Sequence, residues 1–200
     1  MVMKKILFLF FCVIVGIIAG SKLLLPTSSH PLAPLNQPSQ ITTSSSQTQV
    51  GSLIPQTLTI PSLKVTATVE SVGMDSQGRM DVPKNDFNAA WYNLGFKPGD
   101  KGSAVIDGHF DRASGAPAVF YELDSLKNGE KIIVSDGNGK TLTFIVTKKV
   151  YYPFDAFPLE EVFNTTDKPR LNLITCDGVY DTSTHNYSQR LVIYSELESS

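Results

Sequence analysis

Three side chains of this sequence have the types that nucleophilic catalysis requires, and each follows or begins a strand-like run. Cys176 comes directly after residues 171–175, and His109 lies well upstream, shortly after residues 103–106. Arg190 begins the last apolar run of the chain. Such a set can supply a nucleophile, an acid/base and a stabiliser of an oxyanion. We predict that all three lie where a strand meets a loop.

Cys176 is the only cysteine outside residues 1–20. A lone cysteine can be a buried small hydrophobic residue. Here the polar residues Asp177 and Gly178 follow it, which favours the mouth of a site over the middle of a strand. A nucleophilic thiol needs a cationic neighbour that favours the thiolate. We therefore predict that Cys176 is a nucleophile.

His109 and Arg190 could each have a purely structural role, and other residues of the sequence could take their places. His109 could be an ordinary loop histidine, and His185, in the predicted loop after Cys176, could bind substrate. Arg190 could be an edge-strand charge, and Arg170 or Arg112 could supply the cation instead. A guanidinium stays charged at working pH, so it can lower a thiol pKa and stabilise an oxyanion.

No cofactor or metal site is predicted. The sequence has no His/Cys spacing of the zinc type. Residues 136–140 are predicted to form a hairpin turn, since no helix follows them as one would follow a phosphate-binding loop.

Residues 1–25 predict a membrane anchor or an export signal. Lys4 and Lys5 precede an uninterrupted run of apolar or small residues. No clean small-residue pair marks a cleavage site, so an uncleaved anchor is favoured over a cleaved signal peptide. The positive-inside rule places the lysines in the cytoplasm and the rest of the chain outside the cell.

Residues 26–52 are rich in Ser, Thr, Pro and Gln and contain no Asp, Glu, Lys or Arg. Such a segment buries too little apolar surface to fold and predicts a stalk. Residues 53–200 are long enough for one catalytic domain with its own core, which we expect to be monomeric. That domain carries 14 basic and 19 acidic residues, a net charge of −5, because residues 1–52 hold three of the 17 basic residues and none of the 19 acidic ones. This charge argues against nucleic acid as a partner.

Short strand patterns dominate the domain. They cover residues 57–60, 65–72, 103–106, 131–135, 141–146, 171–175 and 191–197, and residues 148–152 could continue the strand of residues 141–146. Residues 118–123 and 158–163 could form one or two helical turns each. About eight short strands separated by turn signals predict a mostly β domain, either a closed barrel or a sandwich.

The chain resembles the sortases, membrane-anchored cysteine transpeptidases of Gram-positive-type bacteria, and is most similar to their class F. The resemblance spans nearly the whole domain and is carried by these motifs: Leu58-Thr59-Ile60-Pro61, Val82-Pro83, Trp91-Tyr92, Pro98-Gly99, Gly108-His109-Phe110-Asp111, Val119-Phe120-Tyr121-Glu122-Leu123, Tyr152 to Pro158, Asp167 to Leu171 and Leu173-Ile174-Thr175-Cys176.

This resemblance implies an eight-stranded sortase-type β-barrel with short helices. It implies that Cys176 is the nucleophile, His109 the acid/base and Arg190 the cationic stabiliser, and that Thr175 contacts substrate. Two residues depart from the family pattern. Asn172 stands where the motif before the cysteine usually has Thr, and Asp107 replaces a small or hydroxyl residue before Gly-His.

The resemblance also implies the substrates. A surface protein with a Leu-Pro-x-Thr-Gly-like sorting signal would be cut between Thr and Gly, and an amine acceptor such as a cell-wall precursor would receive it. The connection over residues 151–170 is long and apolar. The corresponding segment of sortases forms one wall of the signal-binding groove. We expect at least two of Ala156, Leu159 and Val162 to line it.

Two rival interpretations remain. The domain could be a stalked surface β-barrel that binds a ligand and carries an incidental thiol. It could also be another exported cysteine peptidase or an L,D-transpeptidase, although the motif orders of those enzymes do not occur here. A thiol-reactive substrate analogue separates the first rival from a transpeptidase, because only an enzyme forms a covalent adduct.

Overall fold

The computed structural model describes residues 51–199. The strands are β1 (Thr57–Ile60), β2 (Val65–Val72), β3 (Ala89–Tyr92), β4 (Ser103–Gly108), β5 (Lys131–Ser135), β6 (Thr141–Pro153), β7 (Arg170–Asp181) and β8 (Asn186–Leu197). A short helix, α1 (Leu159–Phe163), and 3-10 turns at Pro61–Leu63, Leu123–Ser125 and Phe154–Ala156 complete the described elements.

The eight strands form a closed barrel in the order β1-β2-β3-β4-β7-β8-β6-β5, with β1 pairing back onto β5. Two neighbouring pairs are parallel, β2 with β3 and β4 with β7, and the other pairs are antiparallel. Closure leaves no edge strand in the described sheet. The predicted eight-stranded, mostly β barrel is confirmed, and the sandwich alternative is wrong.

The apolar residues form two separate layers, one on each face of the sheet. The larger cluster draws residues from all eight strands and fills the barrel interior. The smaller cluster joins outward-facing residues of β4, β6, β7 and β8 to the β6–β7 connection: Val105, Val150, Tyr152, Ile174, Val192, Tyr194, Phe157, Val162 and Phe163. The β6–β7 connection therefore covers part of the outer surface of the barrel.

Two predicted strand ends are wrong. The strand that carries Cys176 continues to Asp181, and the strand that carries Arg190 begins at Asn186. The extra residues form a polar two-stranded hairpin with a bulge between Asp177 and Tyr180. Their ladder of hydrogen bonds and an aromatic cross-strand pair stabilise this hairpin without apolar alternation. Cys176 thus lies within a strand and not at its end.

Several local predictions are confirmed. Residues 136–140 form the turn between β5 and β6, where Asp136 Oδ1 accepts the backbone N–H groups of Asn138 and Lys140 at 2.8 and 2.9 Å. The helical turn predicted at residues 158–163 is α1, which begins just after Pro158. No strand pattern predicted β3, which is only four residues long and begins with two alanines.

Candidate active site

Cys176 and Arg190 are direct cross-strand partners in the antiparallel β7–β8 pair. Side chains alternate between the two faces of a strand. Cys176 therefore shares the outer face of the barrel with Ile174, and Arg190 shares it with Val192. The thiol and the guanidinium lie side by side on the outer surface, next to the apolar cluster beneath the β6–β7 connection.

The Arg190 guanidinium is fixed by contacts from two sides. One Nη2 N–H donates to Asn186 Oδ1 at 2.7 Å, and Nη1 donates to the carbonyl oxygens of Gln189 (2.9 Å) and Tyr187 (3.3 Å). Its carbon atom Cζ lies 4.8 Å from the centre of the Phe154 ring. Among the described residues, Nε–H and one Nη2–H have no acceptor. Two oriented donors thus remain for a ligand.

Burial raises the pKa of the Cys176 thiol to about 11, and the Arg190 charge opposes this rise. The carboxylates of Asp107, Asp111 and Asp177 also raise it. The thiol is therefore protonated at neutral pH in this conformation. A base must remove its proton before, or as, it attacks an electrophile.

His109 follows the last residue of β4 and belongs to the same outer face as Asp107. The parallel register pairs Asp107 with Ile174, two residues before His109 and Cys176. The residues immediately before them, Gly108 and Thr175, are joined by a hydrogen bond. The imidazole Nε2 lies 2.9 Å from the Pro83 carbonyl oxygen. Because a carbonyl can only accept, Nε2 carries the proton, and Nδ1 is the nitrogen free to take one.

The side chain of Thr175 lies inside the barrel, on the face opposite to Cys176. It is buried, and its hydroxyl donates to the Gly108 carbonyl oxygen at 2.7 Å. Gly108 itself has no room for a side chain, because a Cβ would stand 2.4 Å from the Phe120 ring. The Thr175 side chain therefore faces away from Cys176 and bonds the segment that leads to Cys176 to the segment that leads to His109.

Two carboxylates flank the site. Burial raises the pKa of the Asp107 carboxyl to about 6, against the opposing charges of His109 and Arg190. Asp111 accepts a hydrogen bond of 2.6 Å from the Tyr187 hydroxyl. It thereby braces the segment after His109 against β8.

Two other features can be assessed in the described region, a metal-ion site and a membrane-spanning helix. Residues 51–199 contain no group of three His, Cys, Asp or Glu side chains that could hold a metal ion. No helix within that range is both long enough and apolar enough to cross a bilayer.

Comparison with protein-family models decides the family. The model described as "Sortase domain" matches residues 58–198, most of the chain. The chain belongs to the sortase family. Members of this family are cysteine transpeptidases. No match was found among curated proteins.

Solved sortases share the fold of this sortase domain. Sortase C1 from Streptococcus agalactiae has a TM-score of 0.57 at 21% identity, with 72% of this chain and 67% of that chain covered. Sortase A of Listeria monocytogenes has a TM-score of 0.54 at 22% identity, with 71% and 85% covered. A lid mutant of sortase A from Corynebacterium diphtheriae has a TM-score of 0.57 at 17% identity, with 76% and 74% covered.

The β6–β7 connection of this sortase presents only some of its apolar side chains to solvent. Ala156 is exposed and Leu159 is 63% exposed, whereas Val162 is 0% exposed in the outer cluster. The buried amide of Asn172 donates from Nδ2 to the Val162 carbonyl oxygen at 2.7 Å and ties the connection to β7. Val162 therefore packs beneath the β6–β7 connection and is not accessible to a bound peptide.

His185 is not brought to the site. It lies in the turn between β7 and β8, with a positive φ of 52°, and its Nδ1 is 3.4 Å from the Tyr180 hydroxyl. The five residues from Cys176 to Asp181 span roughly 16 Å of strand. His185 is thus at the tip of the hairpin, away from the thiol.

Three site neighbours were not found from the sequence. Pro83 belongs to a quoted motif, but nothing in the motif indicates that its carbonyl meets His109. Phe154 and Asn186 hold Arg190 from different elements. Only the register of β7 on β8, and the path of the connection above them, brings these side chains together.

Proposed function

We propose that Cys176 attacks a Leu-Pro-x-Thr-Gly-like sorting signal, cleaves its Thr–Gly bond through a thioacyl-enzyme and passes the protein to an amine acceptor. The observation that carries this proposal is the cross-strand pairing of Cys176 with Arg190. The hydrogen bond between Thr175 and Gly108, the residues before Cys176 and His109, supports the role proposed for His109. Membership of the sortase family supports the reaction class.

In the first half-reaction, the Cys176 sulfur bonds to the Thr carbonyl carbon while His109 Nδ1 takes the thiol proton. Negative charge then develops on the carbonyl oxygen. Arg190 donates to it through the N–H groups that have no acceptor among the described residues. Donors already held in place stabilise such an oxyanion without reorganisation. The imidazolium gives its proton to the glycine nitrogen, and the C–N bond breaks.

In the second half-reaction, the acceptor amine attacks the thioester carbon. His109 takes a proton from that amine, and Arg190 again stabilises the oxyanion. The C–S bond then breaks, the sulfur recovers a proton, and a new amide bond forms. Water in place of the amine would give hydrolysis, so the proposed site would act as an acyltransferase and also as a hydrolase.

The Leu-Pro part of the signal is proposed to lie along the outer face of β7, against the β6–β7 connection. Exposed Leu159 and Ala156 are candidates for this contact. The chain is proposed to belong to class F, which it resembles most over its motifs as a whole. The acceptor is proposed to be a cell-wall precursor or a similar amine.

The remaining parts of the chain suit a surface enzyme. We propose that residues 1–25 anchor it to the cell membrane by a single pass, that residues 26–52 form a stalk, and that residues 53–200 form a monomeric extracellular catalytic domain. Buried Leu53 supports the boundary, since its N–H donates to the Pro98 carbonyl oxygen at 3.0 Å. Gly51 and Ser52 accept bonds from Lys140 Nζ, so the last two residues of the proposed stalk already contact the domain.

Incubation with a library of Leu-Pro-x-Thr-Gly variants, with and without amine acceptors, tests the proposal. The expected result is Thr–Gly cleavage together with amine-dependent ligation, both lost in Cys176→Ala. Ligand binding without cleavage would instead indicate the surface binding module.

A further inference from the structure

The loop between β2 and β3 holds the catalytic imidazole through one backbone carbonyl. Pro83 O accepts the His109 Nε2–H at 2.9 Å. A single acceptor at that nitrogen selects one tautomer and fixes the plane of the ring. The position of Pro83 therefore controls which nitrogen of His109 can exchange protons with Cys176 and with the substrate.

Glu70, on β2, organises that loop from the sheet. Its carboxylate accepts the backbone N–H of Lys84 at 3.0 Å, the backbone N–H of Asn85 at 3.3 Å and Nδ2 of Asn88 at 2.9 Å. The first of these donors is the residue directly after Pro83. The Pro83 carbonyl and the Lys84 N–H belong to the same planar peptide group. The carboxylate thus holds the peptide group whose carbonyl receives the His109 N–H.

The charge of Glu70 and its position on β2 both favour a role in ordering the loop between β2 and β3. The Lys84 backbone hydrogen bond and the Asn88 side chain lower the pKa of the Glu70 carboxyl, so it is ionised at neutral pH. Hydrogen bonds to a charged acceptor are roughly twice as strong as neutral ones. The register also aligns Glu70 with Ala90 on β3, and Ala90 with Asp107 on β4, the strand that His109 follows.

The far end of the same loop is joined to the segment that follows His109. The Asp86 carbonyl oxygen accepts the Val119 N–H at 3.0 Å. The Arg112 guanidinium lies over the Phe87 ring, 5.4 Å from its centre. The loop is thus held between β2 on one side and the His109 segment on the other, and Glu70 is its charged anchor.

We propose that Glu70 is a positioning residue for the catalytic histidine. Its carboxylate orders residues 83–88 so that the Pro83 carbonyl keeps His109 Nε2 protonated and presents Nδ1 to the reacting groups. The proposal rests on the proposed function of His109 as acid/base. The tautomer itself is a property of the folded protein that can be observed without any substrate.

The test uses the full chain with nitrogen-15 in its histidines, and His109→Asn assigns the His109 signals. In the wild type, NMR at a pH where the ring is neutral is expected to show an Nε2-protonated tautomer. Glu70→Ala is expected to shift the two ring nitrogens towards the averaged values of mixed tautomers. It should also lower kcat by about tenfold or more while KM changes less, because a misplaced reacting group slows the chemical step.

Glu70→Gln is the second variant, because it keeps the size of the side chain and one carbonyl acceptor. Its effects should fall between those of wild type and Glu70→Ala. Glu130→Gln is the matched control: Glu130 also accepts a loop amide, from Lys127 at 2.8 Å, but its loop carries no proposed site residue. This control should leave the His109 signals and kcat unchanged.

The outcomes separate the two proposals. Unchanged His109 nitrogen signals in folded Glu70→Ala and Glu70→Gln would overturn the positioning role, even if the wild type is an active transpeptidase. A loss of the single tautomer in Glu70→Ala, in a protein whose wild type turns over no sorting peptide, would support the positioning of His109 and contradict the proposed function.

Discussion

The Thr175 hydroxyl donates a hydrogen bond of 2.7 Å to the Gly108 carbonyl oxygen inside the barrel. This bond joins β7 to β4 at the residues that immediately precede Cys176 and His109. The proposed nucleophile and base lie far apart in sequence, and this bond joins their two strands on the inner face of the barrel. β4 and β7 are thus fixed to each other on the face away from solvent.

Thr175→Val is predicted to reduce both stability and turnover. The valine keeps the shape of threonine but leaves the buried Gly108 carbonyl without its side-chain donor. Loss of such a partner costs about 1–3 kcal/mol of unfolding free energy. Turnover should fall by about tenfold or more, because small displacements of reacting groups are costly. Denaturant unfolding and peptide-cleavage rates measure the two effects.

Ser195→Ala provides the control for Thr175→Val. Ser195 also lies buried on the inner face, and its hydroxyl donates to the Leu171 carbonyl oxygen at 2.5 Å. This variant should lose stability while the kcat of the folded protein is retained. If both variants lowered kcat equally, the Thr175–Gly108 bond would have no special role in spacing the site.

Arg190→Ala is predicted to lower kcat by about a hundredfold or more, as loss of an oxyanion donor does. Arg190→Lys should recover only part of the rate, because an ammonium lacks the planar set of donors that Asn186 and Gln189 hold in place. Steady-state cleavage of a fluorogenic peptide measures both variants.

Arg170→Ala is the matched control on the same pair of strands. Arg170 begins β7 and is paired with Asp167 and Glu196. It lies six residues, or roughly 20 Å of strand, before Cys176. The variant should keep its turnover when folded. A wild-type rate in Arg190→Ala would assign the oxyanion to another donor.

Asp107→Ser is predicted to change the pH dependence of stability. Burial raises the pKa of Asp107 to about 6 from its ordinary value of 3.8. The native state therefore binds more protons than the unfolded state between these values, and stability falls as pH rises through this window. Serine removes that loss, so the unfolding free energy of the variant relative to wild type should rise by about 2.4 kcal/mol from pH 4 to pH 7.5.

Urea unfolding at pH 4 and pH 7.5 measures this gain, with Asp100→Asn as the control. Asp100 accepts the Lys97 N–H in a loop away from the site. A stability difference between Asp107→Ser and wild type that is the same at both pH values would show that Asp107 does not titrate as proposed. The alkylation of Cys176 should also shift to lower pH in Asp107→Ser, because the Asp107 carboxylate raises the pKa of the thiol.

The strands that could be predicted are short runs of β-branched and apolar residues bounded by turn signals. Residues 131–135, Lys-Ile-Ile-Val-Ser, form β5 with the predicted bounds, and the turn signals of residues 136–140 follow them directly. The continuation of β7 past Cys176 could not be predicted in this way, since residues 177–181 are exposed or half-buried and are held by pairing with β8.

The candidate site also has residues that the sequence indicated and contacts that it did not. Cys176, His109 and Arg190 stand out by residue type and by family motifs, and the pairing of β7 with β8 brings Cys176 and Arg190 to one face. The bond from His109 to Pro83 spans 26 residues and depends on the path of a loop that carries no periodic pattern. The inward position of Thr175 follows from the register of β7, which the motif alone does not specify.

Leu159→Ala and Val162→Ala are predicted to act differently although both lie in α1. Leu159 is 63% exposed, so its truncation should leave stability nearly unchanged and raise KM for the peptide or relax the preference for Leu. Val162 is fully buried, so its truncation should lower the unfolding free energy by about 1–2 kcal/mol. Peptide kinetics and denaturant unfolding of each variant check this contrast. An unchanged KM and Leu preference in folded Leu159→Ala would move the groove to the β7–β8 hairpin.

The most direct test of the account is the mass of the enzyme during turnover. A Leu-Pro-x-Thr-Gly peptide incubated with the protein, without an amine acceptor, should add the mass of its acyl fragment, ending at Thr, to the intact chain. Peptide mapping should locate the adduct on Cys176, and an added amine should remove it as ligated product. Cys176→Ala should form no adduct and cleave no peptide. Cleavage by folded Cys176→Ala at the wild-type rate would contradict the account.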